Sequence, residues 1–192
     1  MSSVENLAAV DDALAEHFGH RPVRASMSFV GVHPIEILRF EPIPGERAYV
    51  SLGMSAQPMT AATETIQSAD DPRAELMVYL RDEIDAFAQL WRQLAVLAAS
   101  PAVEGVVYRV GMTVDLGTPL AQNSRCTGGV LVESAVAAVP TLAGPVEILQ
   151  LLPATSTELG WGRVRGSVAL RQRWAERDTD LLDLARAAVD LT

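Results

Sequence analysis

The chain has 192 residues, 49% of them hydrophobic and 20% charged, a composition typical of a globular protein with enough length for one core. Its formal net charge of −9 argues against binding to a phosphate backbone, which requires clustered cations. All 15 basic residues are arginines, so a lysine Schiff base and a P-loop lysine are excluded. These features predict one globular domain over residues 1–192 that binds no nucleic acid.

Cysteine usage and the N-terminus predict the compartment. Cys126 is the only cysteine, so it cannot form an internal disulfide. The first five residues include the acidic Glu5, and the N-terminus lacks the basic and apolar regions of a signal peptide. Prolines and glycines interrupt the most apolar stretch, residues 135–152, which therefore cannot supply the roughly 20 apolar residues of a membrane span. We predict a cytoplasmic protein without a membrane segment.

The first part of the chain is predicted to form a helix followed by a strand meander. Residues 4–18 have helical periodicity, and alternating apolar residues predict strands over residues 23–29, 35–40 and 47–54. Residues 41–46 contain prolines and a glycine that suit a turn between antiparallel neighbours. The apolar stripe of the predicted helix contains Leu7, Val10, Leu14 and Phe18.

The middle of the chain has its clearest helical pattern after a long polar connection. Residues 55–72 lack periodicity and are predicted to form a surface connection before a strand at residues 75–81. Residues 84–98 then have helical periodicity, and Ser100 and Pro101 predict the end of this helix. We expect this helix to cover the sheet.

The last part of the chain adds strands and further helices. Residues 103–114 and 127–133 are predicted to form short strands. Residues 146–152 are apolar almost throughout, which predicts a central strand ended by Pro153. A capping box of Thr155 and Glu158 predicts the start of further helical segments, with a break at residues 160–166. A last helix is predicted to start at residues 178–180, and its inner face contains Leu181, Leu184, Ala185 and Ala188. Together these elements predict an α+β domain with a mixed, mostly antiparallel sheet packed by helices.

Several strings resemble the bacterial branch of the suppressor of fused domain family. The strongest is residues 147–159, an apolar strand with an internal Gln150 followed by proline, threonine and Glu-Leu. Residues 53–59, Gly-Met-Ser-Ala-Gln-Pro-Met, and the helix containing Trp91 are also similar to the family pattern. The strings occur in the family order, and the resemblance covers residues 29–185.

The resemblance implies a non-enzymatic protein-binding domain with no cofactor. Animal members of the family bind a transcription-factor peptide between two lobes, partly by strand addition, and this chain resembles one lobe only. Bacterial members resemble immunity proteins that neutralise a cognate toxin by binding it. We therefore predict a protein partner, which for a bacterial immunity protein is a toxin.

The predicted binding surface is the connection over residues 55–71 with the neighbouring sheet edge. Long polar connections on a packed scaffold often carry binding residues. The alternative is a connection without fixed structure. The predicted protein-binding residues are Gln57, Met59, Thr63, Glu64, Gln67, Asp70 and Asp71.

Other residues permit enzymatic alternatives. His17 and His20 have a spacing that could present two imidazoles to a metal, but a zinc site requires further ligands, so we predict no metal. Cys126 lacks a nucleophile motif and a positioned base, which favours a structural thiol. The alternative function is a small hydrolase or transferase that uses His17, His33 or the acidic connection.

For two charged clusters, a structural role is favoured over a ligand-binding or catalytic one. Asp82, Glu83 and Asp85 lie at the start of the long predicted helix, where carboxylates favour the positive end of the dipole. They could also form a cation site or an acid/base pair, as could Asp70 and Asp71, which precede Pro72 in a loop. The basic cluster favours a solvated, ion-paired face over a nucleic-acid patch, because Asp178, Asp180 and Asp183 follow it closely. This cluster contains Arg163, Arg165, Arg171, Arg173 and Arg177.

Overall fold

Seven strands form one sheet in the order β1-β2-β3-β4-β7-β6-β5 in the computed structural model, which describes residues 3–64, 68, 70–81 and 87–192. The strands are β1 Val23–Met27, β2 Ile35–Phe40, β3 Glu46–Leu52, β4 Arg73–Arg81, β5 Thr113–Asp115, β6 Cys126–Glu133 and β7 Val146–Thr155. The helices in the described ranges are α1 Ser3–Phe18, α2 Phe87–Glu104, α3 Ser156–Arg165 and α4 Ser167–Glu176, with a short 3-10 helix at Met54–Ala56.

All neighbouring strands pair antiparallel except β4 and β7, which are parallel. The predicted α+β class with a mixed, mostly antiparallel sheet is therefore confirmed. The N-terminal meander is also confirmed, since β1 pairs with β2 and β2 pairs with β3. The predicted strand before the long helix becomes β4, which lies in the middle of the sheet next to β7.

Helices cover both faces of the sheet, and β4 is buried from both sides. Val10 and Leu14 of α1 pack in one cluster with Met77 of β4. Leu94 of α2 packs in a second cluster with Leu76, the next residue of β4. Because successive side chains of a strand point to opposite faces, α1 and α2 cover opposite faces of the sheet at β4. The stripe predicted for α1 and the covering role predicted for the long helix are confirmed.

The long helix does not end at Ser100 and Pro101, as the sequence predicts, but continues to Glu104. Proline has no N–H to donate to the carbonyl four residues earlier, which here is that of Leu97. The buried hydroxyl of Tyr108 donates to this carbonyl at 2.8 Å and replaces the missing bond. The predicted start of this helix, before Phe87, lies outside the described residues.

The strand predicted over residues 146–152 as the central one is β7, which lies inside the sheet next to the middle strand β4, and Pro153 does not end it. β7 continues to Thr155, and Pro153 pairs with Gly129 of β6. The pairs between β7 and β4 extend only from Val146 to Gln150. Pro153 therefore lies where β7 has a paired strand on one side only, a position that tolerates a missing N–H.

Two further predictions are corrected near the end of the sheet and of the chain. Of residues 103–114, only Thr113 and Val114 belong to a strand, β5. The strand predicted over residues 127–133 is confirmed as β6, which begins one residue earlier, at Cys126. The predicted break between helices occurs at Gly166, which has a φ of 94°. Residues 178–192 form turns and irregular segments in place of the predicted last helix.

Candidate functional site

The connection between β3 and β4 carries the predicted binding residues, which differ in exposure. Gln57, Thr63, Glu64 and Asp70 are exposed, and Asp71 is half-buried. Met59 is only 2% exposed and packs in the core, so its side chain anchors the connection and is not available at the surface. Gln67 lies outside the described residues.

A buried carboxylate holds the beginning of the connection. Glu75 of β4 is fully buried, and its Oε1 accepts hydrogen bonds from the N–H of Gly53 at 2.9 Å and the N–H of Ser55 at 3.0 Å. The hydroxyl of Ser55 donates to the same oxygen at 2.6 Å, and the hydroxyl of Ser51 donates to Oε2. A buried carboxylate is costly unless it is paired or hydrogen-bonded, and here four donors compensate for the lost hydration. Glu75 therefore fixes the chain where it leaves β3.

Gly53 has a conformation and a position that exclude side chains. Its φ is 130°, which L residues rarely adopt. A Cβ atom built on Gly53 would lie 2.4 Å from the carbonyl oxygen of Pro34. The glycine of the family-like string at residues 53–59 thus permits the close approach of two backbone segments.

Further bonds hold the rest of the connection. The N–H of Ala62 donates to the carbonyl of Gly105 at 3.0 Å, at the end of α2. Asp71 accepts from the N–H of Ser68 at 2.9 Å and from the hydroxyl of Thr60 at 2.8 Å. These two hydrogen bonds, that of Ser68 first, lower the pKa of Asp71. The described parts of the connection are therefore attached to the scaffold at several points.

A groove with a volume of about 540 Å³ lies beside the end of the connection. Asp70 and Asp71 line it together with Arg73 of β4, Asn6 of α1 and the loop at residues 142–145. Burial lowers the pKa of the Arg73 guanidinium, which donates one hydrogen bond to the connection. The groove is thus polar and is bounded by the predicted binding surface on one side.

The three predicted histidines have local contacts. His17 stacks edge-on against Phe18, with ring centroids 4.8 Å apart. His20 accepts the N–H of Glu41 at 3.3 Å, and the Nδ1 of His33 lies 3.0 Å from the carbonyl oxygen of Pro34. Within the described ranges, no three His, Cys, Asp or Glu side chains are grouped so that they could hold a metal ion.

Cys126 is fully buried in β6. Burial raises the pKa of its thiol to about 11, against a smaller lowering by the nearby Arg186. Because the thiolate is the nucleophilic form, this thiol is unreactive at neutral pH. The structural interpretation of Cys126 is therefore favoured over the catalytic one.

Of the two charged clusters, the structure describes the basic one. Asp82, Glu83 and Asp85 lie outside the described ranges. Three arginines of the basic cluster form exposed ion pairs, which supports the ion-paired interpretation, but with partners other than the three predicted aspartates. The pairs are Arg163 with Asp115, Arg173 with Glu176 and Arg177 with Asp190.

A second buried carboxylate, Glu158, was predicted only as a helix cap. The capping box with Thr155 is confirmed. Glu158 also accepts from Arg186 at 2.7 Å, from the indole N–H of Trp174 at 3.0 Å and from the N–H of Val189 at 2.9 Å. Burial would raise the pKa of Glu158, but the bonds from Arg186 and the backbone N–H groups outweigh burial and lower it. Glu158 thus attaches the C-terminal segment to the sheet.

None of the helices in the described part of the chain combines the length and the apolarity required to cross a bilayer.

The sequence and fold are similar to those of known proteins. The model of the suppressor of fused protein family matches residues 31–187. A suppressor of fused homolog from Neisseria gonorrhoeae is 17% identical with a TM-score of 0.68, and the match covers 96% of this chain and 97% of that one. The structure of a Sufu–Fu complex matches with 14% identity, a TM-score of 0.67, and coverage of 97% of this chain and 90% of that one.

Drosophila Suppressor of Fused is 14% identical with a TM-score of 0.72, and the match covers 96% of this chain but 51% of the Drosophila chain. This chain therefore spans about half the length of that protein. No curated protein matches the sequence. Since the family match extends over most of the chain and agrees with the fold, the chain belongs to the suppressor of fused family.

Proposed function

We propose that this chain is a non-catalytic protein-binding domain that neutralises a cognate toxin in the cytoplasm by direct contact. A solved relative is a complex of Sufu with Fu, so the fold occurs in a protein that binds another protein. The resemblance to the bacterial branch implies the toxin-neutralising role. The partner surface is the connection between β3 and β4.

The observation that carries this proposal is the attachment of a polar, exposed connection to a buried hydrogen-bond network. Glu75 holds the first turn through four hydrogen bonds, and Met59 anchors the next residues in the core. Gln57, Thr63 and Glu64 remain exposed. A surface held in this way loses little conformational entropy on binding, which favours affinity.

The test is titration calorimetry of the purified chain with the protein encoded by the gene adjacent to its own, used as the candidate toxin. The triple variant Gln57→Ala, Thr63→Ala, Glu64→Ala should bind at least about tenfold more weakly, as expected when a few contacts supply most of the binding energy. Its thermal unfolding midpoint should be unchanged, because the three side chains are exposed.

The matched control is Glu16→Ala, an exposed glutamate of α1 outside the connection. It should bind as the wild type does. Wild-type affinity in the triple variant would show that the connection is not the binding surface. Failure of the wild-type chain both to bind the toxin and to rescue growth on co-expression would rule out neutralisation.

A further inference from the structure

Two exposed valines lie at the corner where α3 ends and α4 begins. Val164 is 83% exposed and Val168 is 76% exposed. Gly166 lies between them with a φ of 94° and turns the chain from one helix into the next. We call residues 163–171 the α3–α4 corner. Single exposed apolar residues are normal at a protein surface, but two large ones within five consecutive residues form an apolar surface that the fold leaves uncovered.

The helical positions of the two valines explain their exposure. In α4, Leu170 and Trp174 are buried against β6, and Val168 lies two residues before Leu170, which is about 200° around the helix. In α3, Gly162 is buried, and Val164 lies two residues after it. Each valine therefore lies on the side of its helix opposite the packed one. Core packing does not require an apolar residue at either position.

The arginines of the corner are only partly paired. Arg163 pairs with Asp115 at 3.0 Å. Arg165 and Arg171 are exposed and form no ion pair with any described residue. Arg165 directly follows the first valine, and Arg171 lies one turn after the second on the same side of α4. The corner thus places unpaired positive charge beside apolar surface, in a chain whose formal net charge is −9.

A neighbouring loop extends this surface. A Cβ atom built on Gly111 would lie 3.4 Å from the hydroxyl oxygen of Ser167, so the loop before β5 lies against the start of α4. Arg109 and Val110 of this loop are exposed, and Arg109 has no ion-pair partner among the described residues. The loop therefore adds another arginine and another valine beside the corner.

This combination favours an acidic peptide segment over other anions. A guanidinium can form two parallel hydrogen bonds with a carboxylate, and the valines can cover an apolar side chain beside it. Charges are screened over about 8 Å at physiological ionic strength, so a short segment responds mainly to the corner. A nucleic-acid duplex or an anionic bilayer extends well beyond the corner and is also repelled by the acidic remainder of the surface.

We propose that the α3–α4 corner docks an acidic segment of a protein partner, in which carboxylates flank apolar side chains. The carboxylates pair with Arg165 and Arg171, and the apolar side chains pack on Val164 and Val168. This surface shares no residue with the connection between β3 and β4. The inference therefore goes beyond the proposed function and does not require the partner to be a toxin.

The test is an NMR titration of the full chain with the blocked peptide acetyl-Asp-Glu-Leu-Leu-Asp-Glu-amide. Saturable shifts should appear at the backbone amides of residues 163–171 and at the methyl groups of Val164 and Val168. The uncharged analogue acetyl-Asn-Gln-Leu-Leu-Asn-Gln-amide should bind at least about tenfold more weakly, because it loses the charged contacts. The analogue acetyl-Asp-Glu-Ser-Ser-Asp-Glu-amide keeps the charge but should lose a similar factor, because it lacks the apolar contacts.

Two double variants separate the two kinds of contact. Arg165→Gln with Arg171→Gln removes the charge, and Val164→Ser with Val168→Ser removes the apolar surface. Each double variant should weaken binding of the acidic peptide at least about tenfold. All four side chains are exposed, so the thermal unfolding midpoint should stay close to that of the wild type.

The matched control is Arg92→Gln with Val96→Ser, which makes both kinds of change one turn apart on the exposed side of α2. Leu131 of β6 packs in the same cluster as α2, whereas the adjacent Val130 packs with α3 and α4. Because adjacent side chains of a strand point to opposite faces, the control lies on the other face of the sheet. It should bind the acidic peptide as the wild type does.

Equal binding of the serine-containing analogue, shifts confined to residues outside the corner and its neighbouring loop, or wild-type affinity in both double variants would overturn the proposal. Arginine-dependent binding of a DNA duplex, or of vesicles of phosphatidylserine and phosphatidylcholine in equal parts, would assign the corner to a polyanion instead. A dimer in sedimentation velocity that dissociates in the arginine variant would assign it to a second copy of this chain. Either result would also overturn the proposal.

Discussion

Replacing Arg186 with methionine is expected to lower the free energy of unfolding by about 3–5 kcal/mol, because the change leaves a buried carboxylate without its counter-charge. The guanidinium of Arg186 contacts both carboxylate oxygens of Glu158, at 2.7 and 3.0 Å, and donates to the carbonyl of Pro153 at 2.8 Å. Glu158 is fully buried and Arg186 nearly so. Urea denaturation at pH 7 measures the loss.

The loss should depend on pH with a defined sign. Burial alone would raise the pKa of Glu158, but its hydrogen bonds hold this pKa below the ordinary value of 4.5. A carboxyl group whose pKa is lower in the folded state adds stability above its unfolded pKa, and this stability is lost as pH falls through the folded pKa. In the Arg186 variant burial raises the pKa of Glu158, so the difference between wild type and variant should be largest at neutral pH and shrink as pH falls first through this raised pKa and then through the lowered pKa of the wild type.

The matched control is Arg177→Met, which removes an exposed ion pair with Asp190. Exposed pairs contribute little, so the control should change the free energy of unfolding by less than about 1 kcal/mol. The double variant Glu158→Gln, Arg186→Met should recover part of the loss, since no unpaired charge remains buried. Equal effects of the Arg186 and Arg177 changes would contradict the stabilising role of the buried pair.

Replacing Glu75 with glutamine is expected to destabilise the protein by about 2–3 kcal/mol, because the amide offers one acceptor oxygen and places its own N–H donors among the donors of the network. Hydrogen exchange of the Gly53 and Ser55 amides, which donate to Glu75, should become at least about tenfold faster. Affinity for the proposed protein partner should fall as well, since the connection loses its anchor.

Glu147→Gln is the control for Glu75, because it makes the same change at an exposed position of β7. We expect little effect on stability from this substitution. The Gly53 and Ser55 amides could exchange equally slowly in the Glu75→Gln and Glu147→Gln variants. In that case, the connection is held by contacts other than those of Glu75.

Elements set by short-range patterns were predictable from the sequence. The stripe of α1, the β1 to β3 meander and the capping box of Thr155 and Glu158 depend on residues within a few positions of one another. The family-like order of strings also indicated the fold. These features needed no knowledge of which distant segments meet.

Features decided by distant residues were not predictable. Pro101 ended a helix in the sequence interpretation, but the hydroxyl of Tyr108 repairs the lost hydrogen bond. The apolar pattern after residue 178 suggested a helix, whereas the structure buries Arg186 of an irregular segment against Glu158. In both cases the deciding partner lies beyond the next turn of a helix, since 11 residues separate Leu97 from Tyr108 and 28 separate Glu158 from Arg186.

The burial of Glu75, the hydrogen-bond acceptor at the candidate site, was also not predicted from the sequence. In β4, the side chains of Glu75 and Leu76 point to opposite faces of the sheet. If only the Leu76 face were covered, Glu75 would be exposed to solvent. Glu75 is nevertheless buried, because the end of β3 and the beginning of the connection, with Ser51, Gly53 and Ser55, close around it. The sequence does contain one indication, a glutamate inside the apolar string of residues 74–80. This glutamate indicates a buried hydrogen-bond network only when both faces of the strand are known to be covered.

The parallel pairing of β4 with β7 has a consequence for biosynthesis. The partner of Arg73 is Val146, so β4 is made roughly 70 residues before the strand that completes its second edge. At translation rates of about 5–20 residues per second, the apolar edge of β4 remains uncovered for roughly 4–15 s. Nascent chains stalled before residue 146 should therefore bind holdase chaperones, whereas chains stalled with the whole sequence outside the ribosome should be released from them. Synthesis of this small domain thus includes an interval in which its central strand is exposed to aggregation.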